Sequence, residues 1–384
     1  MNPLFANQPT SIFEQMSLLA REHDAVNLGQ GFPDFGWPDD VVAEAARMLT
    51  AGSNQYPPMR GLPALREAVA EHYTVHQKLD FTAEDVTITS GATEALAAAL
   101  IALITSGDEV LLFQPLYDAY LPIIRRAGGV PRLVRLTPPD WRITADALAE
   151  AITPRTRLIV FNNPHNPTAR LFSADELALI ADACTAGDLV ALTDEVWEHV
   201  LFDGGRMMPL SALPGMRERT VKVGSAGKIF SLTGWKVGWV VAPPRLAVPV
   251  YKAHQYLAFA TPPNLQAAVA YGLTKGADYF QGMRQAFEDA RDRLASDLRD
   301  VGYAPLRAEG TYFLCVDLAA SGIDADDRAF CERAVREAGV AAIPVSAFYD
   351  NDPVGTVIRL CFAKQPATIE RGLERLRVAR GLFA

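Results

Sequence analysis

Between about Asp85 and Pro243 the chain alternates short, almost wholly apolar runs with stretches of helical periodicity, and this alternation limits the fold more than any other feature. The apolar runs cover residues 86–89, 110–113, 158–161, 189–192, 221–223 and 237–240, and helical patterns such as 92–105 and 174–186 separate several of them. A strand that is apolar on both faces must be covered on both faces, and parallel strands need crossover helices that supply the cover. The expected class is therefore α/β, with a mainly parallel sheet flanked by helices. Ligands of such sheets sit at the carboxyl ends of the strands, so the polar residues that follow each run carry the chemical reading.

Beyond the Pro243-Pro244 and Pro262-Pro263 breaks the pattern changes to a long charged helix over about 279–300, then the tract 310–316, a further helix and a strand over 357–362. This second pattern indicates a smaller α+β unit, in keeping with two domains for 384 residues. With 36 Lys+Arg against 45 Asp+Glu the net charge is −9, the opposite of the basic face a nucleic acid requires, so no nucleic-acid partner is expected. The longest apolar run, 95–104, is too short to span a bilayer, and the first basic residue is Arg21. Neither a membrane anchor nor a signal peptide is expected, and the default location is the cytoplasm. Cys184, Cys315, Cys331 and Cys361 lie too far apart for a zinc or redox motif and are read as reduced, mostly buried thiols.

Several common signatures are missing. No GxGxxG follows a strand, and Gly224-Ser225-Ala226-Gly227-Lys228 lacks the leading glycine and the trailing hydroxyl residue of a P-loop. Val223 stands where the GxSxG turn of a serine hydrolase needs its first glycine. His72 and His76 are spaced for one helix face, but no acidic or cysteine third ligand is evident. That pair is read as a solvated helix surface, and no metal is expected.

What remains are polar groups at several strand ends. Ser90-Gly91-Ala92-Thr93 follows the first run and opens a helix, where backbone N–H groups and the Thr93 hydroxyl can hold a phosphate against the helix dipole. Asn163-Pro164-His165-Asn166-Pro167-Thr168 follows the run at 158–161, and Asp194-Glu195 ends the run at 189–192, each with a bland alternative as a turn or a helix cap. In Ser225-Ala226-Gly227-Lys228 a lysine among small residues at a strand end can be desolvated, and its amine can form a Schiff base with a carbonyl.

Jointly and in this order, these tracts resemble the fold-type I, class I pyridoxal-phosphate aminotransferases, most closely the branch of kynurenine, glutamine and methionine aminotransferases. The resemblance begins at Asn27-Leu28-Gly29-Gln30-Gly31-Phe32-Pro33-Asp34-Phe35 and Asn54-Gln55-Tyr56, takes in the four tracts above and Thr233-Gly234-Trp235-Lys236-Val237-Gly238-Trp239, and ends at Ile358-Arg359-Leu360-Cys361-Phe362-Ala363. It implies an N-terminal arm with part of the small domain (1–45), a large cofactor-binding domain with a sheet of the seven-stranded type (46–278) and a C-terminal small domain (279–384). It also implies that pyridoxal 5'-phosphate is the cofactor. Lys228 would carry it as a Schiff base and shuttle a proton, and Asp194 would face the pyridine nitrogen and keep it protonated. Ala92, Thr93, Ser225 and Lys236 would hold the phosphate, Tyr117 would stack on the ring, and Asn166 would bond the 3-oxygen. Arg359 would clamp the substrate α-carboxylate, assisted by Asn166 and the Gly31 backbone. Tyr56 matches a tyrosine that reaches the neighbouring subunit's phosphate, so a homodimer is implied. Members of the family usually carry tyrosine three residues after the aspartate, donating to the cofactor's 3-oxygen, whereas this chain has Trp197, whose indole N–H can donate one hydrogen bond but which has no titratable hydroxyl.

The implied activity is a ping-pong transfer of an amino group from an L-amino acid to a 2-oxo acid. The segment 251–264 contains no arginine, and Phe35, Tyr117 and Phe259 suggest an apolar or aromatic side-chain pocket, which favours methionine, aromatic amino acids, kynurenine or glutamine over aspartate. Two alternatives use the same cofactor: β-elimination of cysteine conjugates, and transamination of a succinylated diamino acid. A ligand-sensing domain of a transcription regulator is disfavoured, because the first family motif is reached by Asn27 and Lys228 is retained.

Overall fold

The structure is a computed structural model that describes residues 1, 3–6 and 8–383. After a two-residue strand β1 (Val26–Asn27), the main sheet is built from β2 (Val86–Thr89), β3 (Glu109–Gln114), β4 (Val130–Arg135), β5 (Thr156–Asn162), β6 (Val190–Asp194), β7 (Thr220–Ser225) and β8 (Gly238–Val241). Its spatial order is β2-β8-β7-β6-β5-β3-β4. Every neighbouring pair is parallel except those made by β8, which runs antiparallel to both β2 and β7. Helices Gly91–Leu103, Tyr120–Arg126, Ala145–Ala151 and Ala174–Ala186 follow β2, β3, β4 and β5 and cover the sheet. The last of these starts at a reciprocal cap, in which Ser173 and Glu176 each satisfy the other's free N–H.

The apolar runs of the sequence became strands because they occupy positions buried on both faces, as β2, β3, β7 and β8 are throughout. The seventh strand, β4, is absent from those runs for a physical reason. It is the outer strand next to β3, its outward positions meet water, and Arg132 and Arg135 interrupt its apolar pattern.

A second sheet follows the long helix Ala277–Asp300. It consists of β9 (Ala304–Pro305), β10 (Phe313–Asp317), β12 (Ile343–Pro344) and β13 (Val357–Cys361), antiparallel in the order β12-β13-β10-β9. A further short strand, β11 (Val340–Ala341), pairs in parallel with β1, so the N-terminal segment is hydrogen-bonded to the C-terminal part of the chain. One apolar core runs through both sheets, from Leu112, Ile159 and Leu192 to Phe330 and Ile358. A separate core under helix Pro63–Gln77 gathers Leu65, Val69, Tyr73, Trp239 and Phe280. No helix among the described residues is long and apolar enough to cross a membrane. All four cysteines are free and buried.

Candidate active site

The carboxyl ends of β5, β6 and β7, at Asn162, Asp194 and Ser225, open onto one cavity of about 330 Å³. On one wall, β2 leads through Ser90 into helix Gly91–Leu103, whose first-turn N–H groups have no partner inside the helix. Gly91 has φ +79°, and a Cβ there would stand 3.2 Å from Nζ of Lys236. At Gly238 a Cβ would come within 2.6 Å of the Gly91 carbonyl carbon, so β8 reaches the helix start only because it carries glycine. Ala92, Thr93, Ser225 and Lys236 therefore share one wall, which joins the positive end of a helix to an ammonium and a hydroxyl. That is an anion site.

Lys228 lies on the short helix Ala226–Ile229 directly after β7, and its side chain faces the cavity. Its Nζ donates to the Tyr312 hydroxyl at 2.8 Å and stands 4.5 Å from the centre of the Trp197 ring. Burial, aided by Arg359 and Lys236, lowers its pKa to about 8, so a neutral, nucleophilic fraction exists near neutral pH. Asp194 is buried at the end of β6. Its Oδ2 accepts from the Tyr120 hydroxyl at 2.7 Å, while Oδ1 has no hydrogen-bond partner among the described residues. Burial raises the pKa of this carboxyl, and the Tyr120 hydrogen bond opposes the rise.

Arg359, on β13 in register with Cys315, is 1% exposed and has only neutral partners. It donates from Nη1 to the Asn166 amide oxygen at 2.7 Å and from Nη2 to the Gly29 carbonyl at 3.3 Å, while Nε is unpartnered. Phe313 lies flat beneath it, 3.8 Å from ring centre to guanidinium carbon. Burial lowers its pKa to about 10, and the group is a cation at neutral pH. Among the described residues Arg359 makes no direct ion pair, with Asp118 acting on it only from a distance, and a buried guanidinium in that state beside a cavity is a receptor for a carboxylate. Gly31, Asn166, Tyr117 and Trp197 line the same cavity. Tyr117 is part-buried, with its hydroxyl bonded to Thr93.

Of the residues expected to hold the cofactor or the α-carboxylate, Tyr56 alone does not line this cavity. It is 85% exposed, edge-on to Phe259 at 5.6 Å. Two expectations need correction. Phe35 packs on Phe287 instead of lining the cavity, whose aromatic walls are Phe13, Phe32, Tyr117, Trp197 and Phe313. The reading of His72 as solvated also fails. It is 2% exposed, and its Nε2 is 2.7 Å from Nε2 of His199, beside Glu198. Helix Pro63–Gln77 turns His72 toward the segment after β6, a proximity across 127 positions that spacing in the sequence does not reveal. The third acidic ligand that seemed missing is thus present, but a 2.7 Å separation of two ring nitrogens is a hydrogen bond with one ring donating. Glu198 is already held by Lys222 at 3.2 Å, by Tyr73 and by Gln77. We read the cluster as structural. Sequence reasoning also missed Tyr120 and Tyr312; Tyr120 sits one helical turn after Tyr117, whereas nothing local marks Tyr312.

Pyridoxal phosphate fits what these residues leave open. The anion wall suits its phosphate, the orphaned Asp194 Oδ1 suits a protonated ring nitrogen, and the Lys228 amine suits its aldehyde. The family model for aminotransferase class I and II matches residues 23–376. The chain is 41% identical over 372 residues to the methionine aminotransferase of Escherichia coli (strain K12), covering 96% of this chain and 95% of that one. It is 37% identical over 395 residues to kynurenine–oxoglutarate transaminase 1 of Homo sapiens, covering 94% and 93%. The solved structure of N-succinyldiaminopimelate aminotransferase from Mycobacterium tuberculosis superposes with a TM-score of 0.95 at 42% identity, over 99% of this chain and all of that one.

Proposed function

We propose, from the premise that this chain belongs to the class I and II aminotransferases and is a pyridoxal-phosphate-dependent transaminase, that its preferred donors are L-amino acids with apolar or aromatic side chains. Bound in the cavity, the cofactor supplies a carbonyl that condenses with amines and a ring that withdraws electron density from the substrate Cα. The chain supplies the rest. Ala92, Thr93, Ser225 and Lys236 hold the phosphate, and Tyr117 stacks on the ring. Asp194 keeps the ring nitrogen protonated through the oxygen that has no hydrogen-bond partner among the described residues. Asn166 serves the 3-oxygen and Trp197 packs beside it. Nζ of Lys228, neutral in part at physiological pH, takes a proton from Cα and returns it on the far side of the transfer. Arg359 grips the α-carboxylate with Asn166 and the Gly31 backbone beside it, which orients Cα toward Lys228. The same residues would serve both halves of a ping-pong transfer, with Arg359 binding the α-carboxylate of the amino acid in one half and of the 2-oxo acid in the other. Tyr56 of the partner subunit would complete the phosphate site in a homodimer, and we place the domain limits at 1–45, 46–278 and 279–384.

The observation that carries the donor class is the lining itself. Its cations are Lys228, Lys236 and Arg359, each already assigned, and the rest of its lining, Asp194 apart, is uncharged, with the rings of Phe13, Phe32 and Phe313 beside neutral groups such as Gln30, Leu96 and Thr233. A second carboxylate would enter without a counter-ion and keep its desolvation cost. The likeness to the mycobacterial enzyme favours a second reading, a succinylated diamino acid, whose distal carboxylate would meet the same difficulty. The test is kcat/KM for methionine, phenylalanine, kynurenine, aspartate and N-succinyl-diaminopimelate with 2-oxoglutarate as acceptor. Methionine or an aromatic donor is expected to lead; aspartate or the succinylated donor in first place overturns the reading of the pocket.

A further inference from the structure

The departure at position 197 leaves a tyrosine hydroxyl missing from the wall beside Lys228, and the tertiary structure puts another one there. Tyr312 lies one residue before β10, 84 positions from Lys228. Its hydroxyl accepts from Lys228 Nζ at 2.8 Å and donates to the Gly31 carbonyl at 2.8 Å. It is 1% exposed, with its ring edge-on to Trp197 at 4.3 Å. The indole and the Tyr312 ring thus both flank the Lys228 amine, at 4.5 Å and 5.2 Å from its Nζ. The backbone before it is strained: Thr311, a β-branched residue, holds φ +64°, kept there by its N–H donating to the Val200 carbonyl and its Oγ1 accepting from the Phe313 N–H. Strain of this kind persists where the surrounding structure requires one direction of a side chain.

We propose that Tyr312, reaching across from the start of the second sheet, is the positioning residue of the Lys228 amine. The proposal rests on the functional reading above, in which Lys228 carries the cofactor. Because the Tyr312 proton is committed to Gly31, its oxygen can only accept, which fixes the direction of one Nζ–H and leaves the amine's remaining valence free for the cavity. Tyr312 stays neutral, since burial pushes its pKa well above the usual tyrosine range, and no net proton passes through it. The bond also ties the amine to the Gly31 segment, so the proton carrier and the carboxylate site share one support.

The test uses four holoenzymes at saturating added cofactor: wild type, Tyr312→Phe, Trp197→Tyr and the double variant. Borohydride reduction and peptide mapping come first. Label on a lysine other than Lys228 in wild type overturns the functional reading and this proposal with it. With label on Lys228, the readout is the pH midpoint of the bound cofactor's visible absorption. Other groups facing Nζ, namely Asp194, Arg359, Lys236 and the Cys361 thiol, are common to all four proteins. An acceptor for N–H favours the protonated nitrogen, so Tyr312→Phe is expected to lower the midpoint by about one pH unit. It should also reduce kcat by about tenfold with KM nearly unchanged. The double variant is expected to recover at least half of the shift, because the new phenol at 197 takes over. A Tyr312→Phe midpoint within ~0.2 unit of wild type overturns the proposal. A double variant no closer to wild type than the single one overturns it as well.

Discussion

Two groups of buried charges lie on opposite sides of β6 and β7, and they are arranged by opposite rules. Successive residues at a strand end face opposite sides of the sheet, so Asp194 looks into the cavity while Glu195 looks away from it. On the far side, Lys222 is fully buried between Glu195 and Glu198. Glu198 also accepts from Tyr73 and Gln77, and Tyr73 accepts from the Trp239 indole. Burial works against the Lys222 ammonium, but the two carboxylates outweigh it and its pKa is raised. On the cavity side, among the described residues, Asp194 keeps an oxygen without a partner and Arg359 makes no direct ion pair, while Lys228 is pushed down to about 8. Paired buried charges hold a fold, whereas unpaired ones wait for a ligand. Two lysines six positions apart, the fully buried Lys222 and the part-buried Lys228, are therefore told apart chiefly by their partners.

The contrast predicts different failures for the two lysines, and the largest effect belongs to the cavity. Lys228→Ala removes the amine that carries the cofactor and moves the proton, so it should lose the visible absorption and on the order of 10⁵-fold in kcat/KM, about 7 kcal/mol, at an unchanged melting temperature. A protein that stays yellow and active would erase the distinction. Lys222→Met should do the reverse. It leaves two buried carboxylates facing each other, which costs about 3–5 kcal/mol of stability, while the surviving folded protein keeps its cofactor spectrum. If thermal unfolding is unmoved, the cluster does not hold the fold.

Arg359→Lys sharpens the cavity side. It keeps the charge and loses the fork, so kcat/KM for methionine and for phenylalanine should each fall about 10–100-fold, their ratio being nearly constant. Strong discrimination between the two donors would take the carboxylate clamp away from Arg359.

The smallest effect tests the far side by pH. His72 is held neutral by burial, with a pKa lowered to about 3. A folded-state pKa below the unfolded value of about 6.5 means that the unfolded chain binds the proton first. Stability present above pH 6.5 is therefore lost as pH falls toward 3. Between pH 7.5 and 5.5 this one group should account for about 1.4 kcal/mol of lost stability, so His72→Gln should show a correspondingly flatter decline in urea unfolding. An identical decline in both proteins would show that His72 is not the group being forced to stay neutral.

The chemistry-bearing tracts were legible because each is short and sits at a strand end: a strand apolar on both faces announces itself, and the polar tracts 163–168, 194–195 and 225–228 close or follow β5, β6 and β7. Local sequence thus determined the sheet interior, the helix start at Gly91 and the candidate lysine and aspartate. It could not display β4, whose exposed edge position relaxes the apolar pattern. Nor could it show what depends on distant segments meeting: His72 against His199, Phe13 and Phe313 as the pocket walls in place of Phe35, and Tyr312 reaching Lys228 from beyond the long helix. The division has one physical reason. Strand and helix patterns are set by periodic burial within a few residues, whereas a side chain's partner, and with it whether a buried charge is satisfied or left open, is decided only when the two sheets pack and bring residues from both onto the same amine.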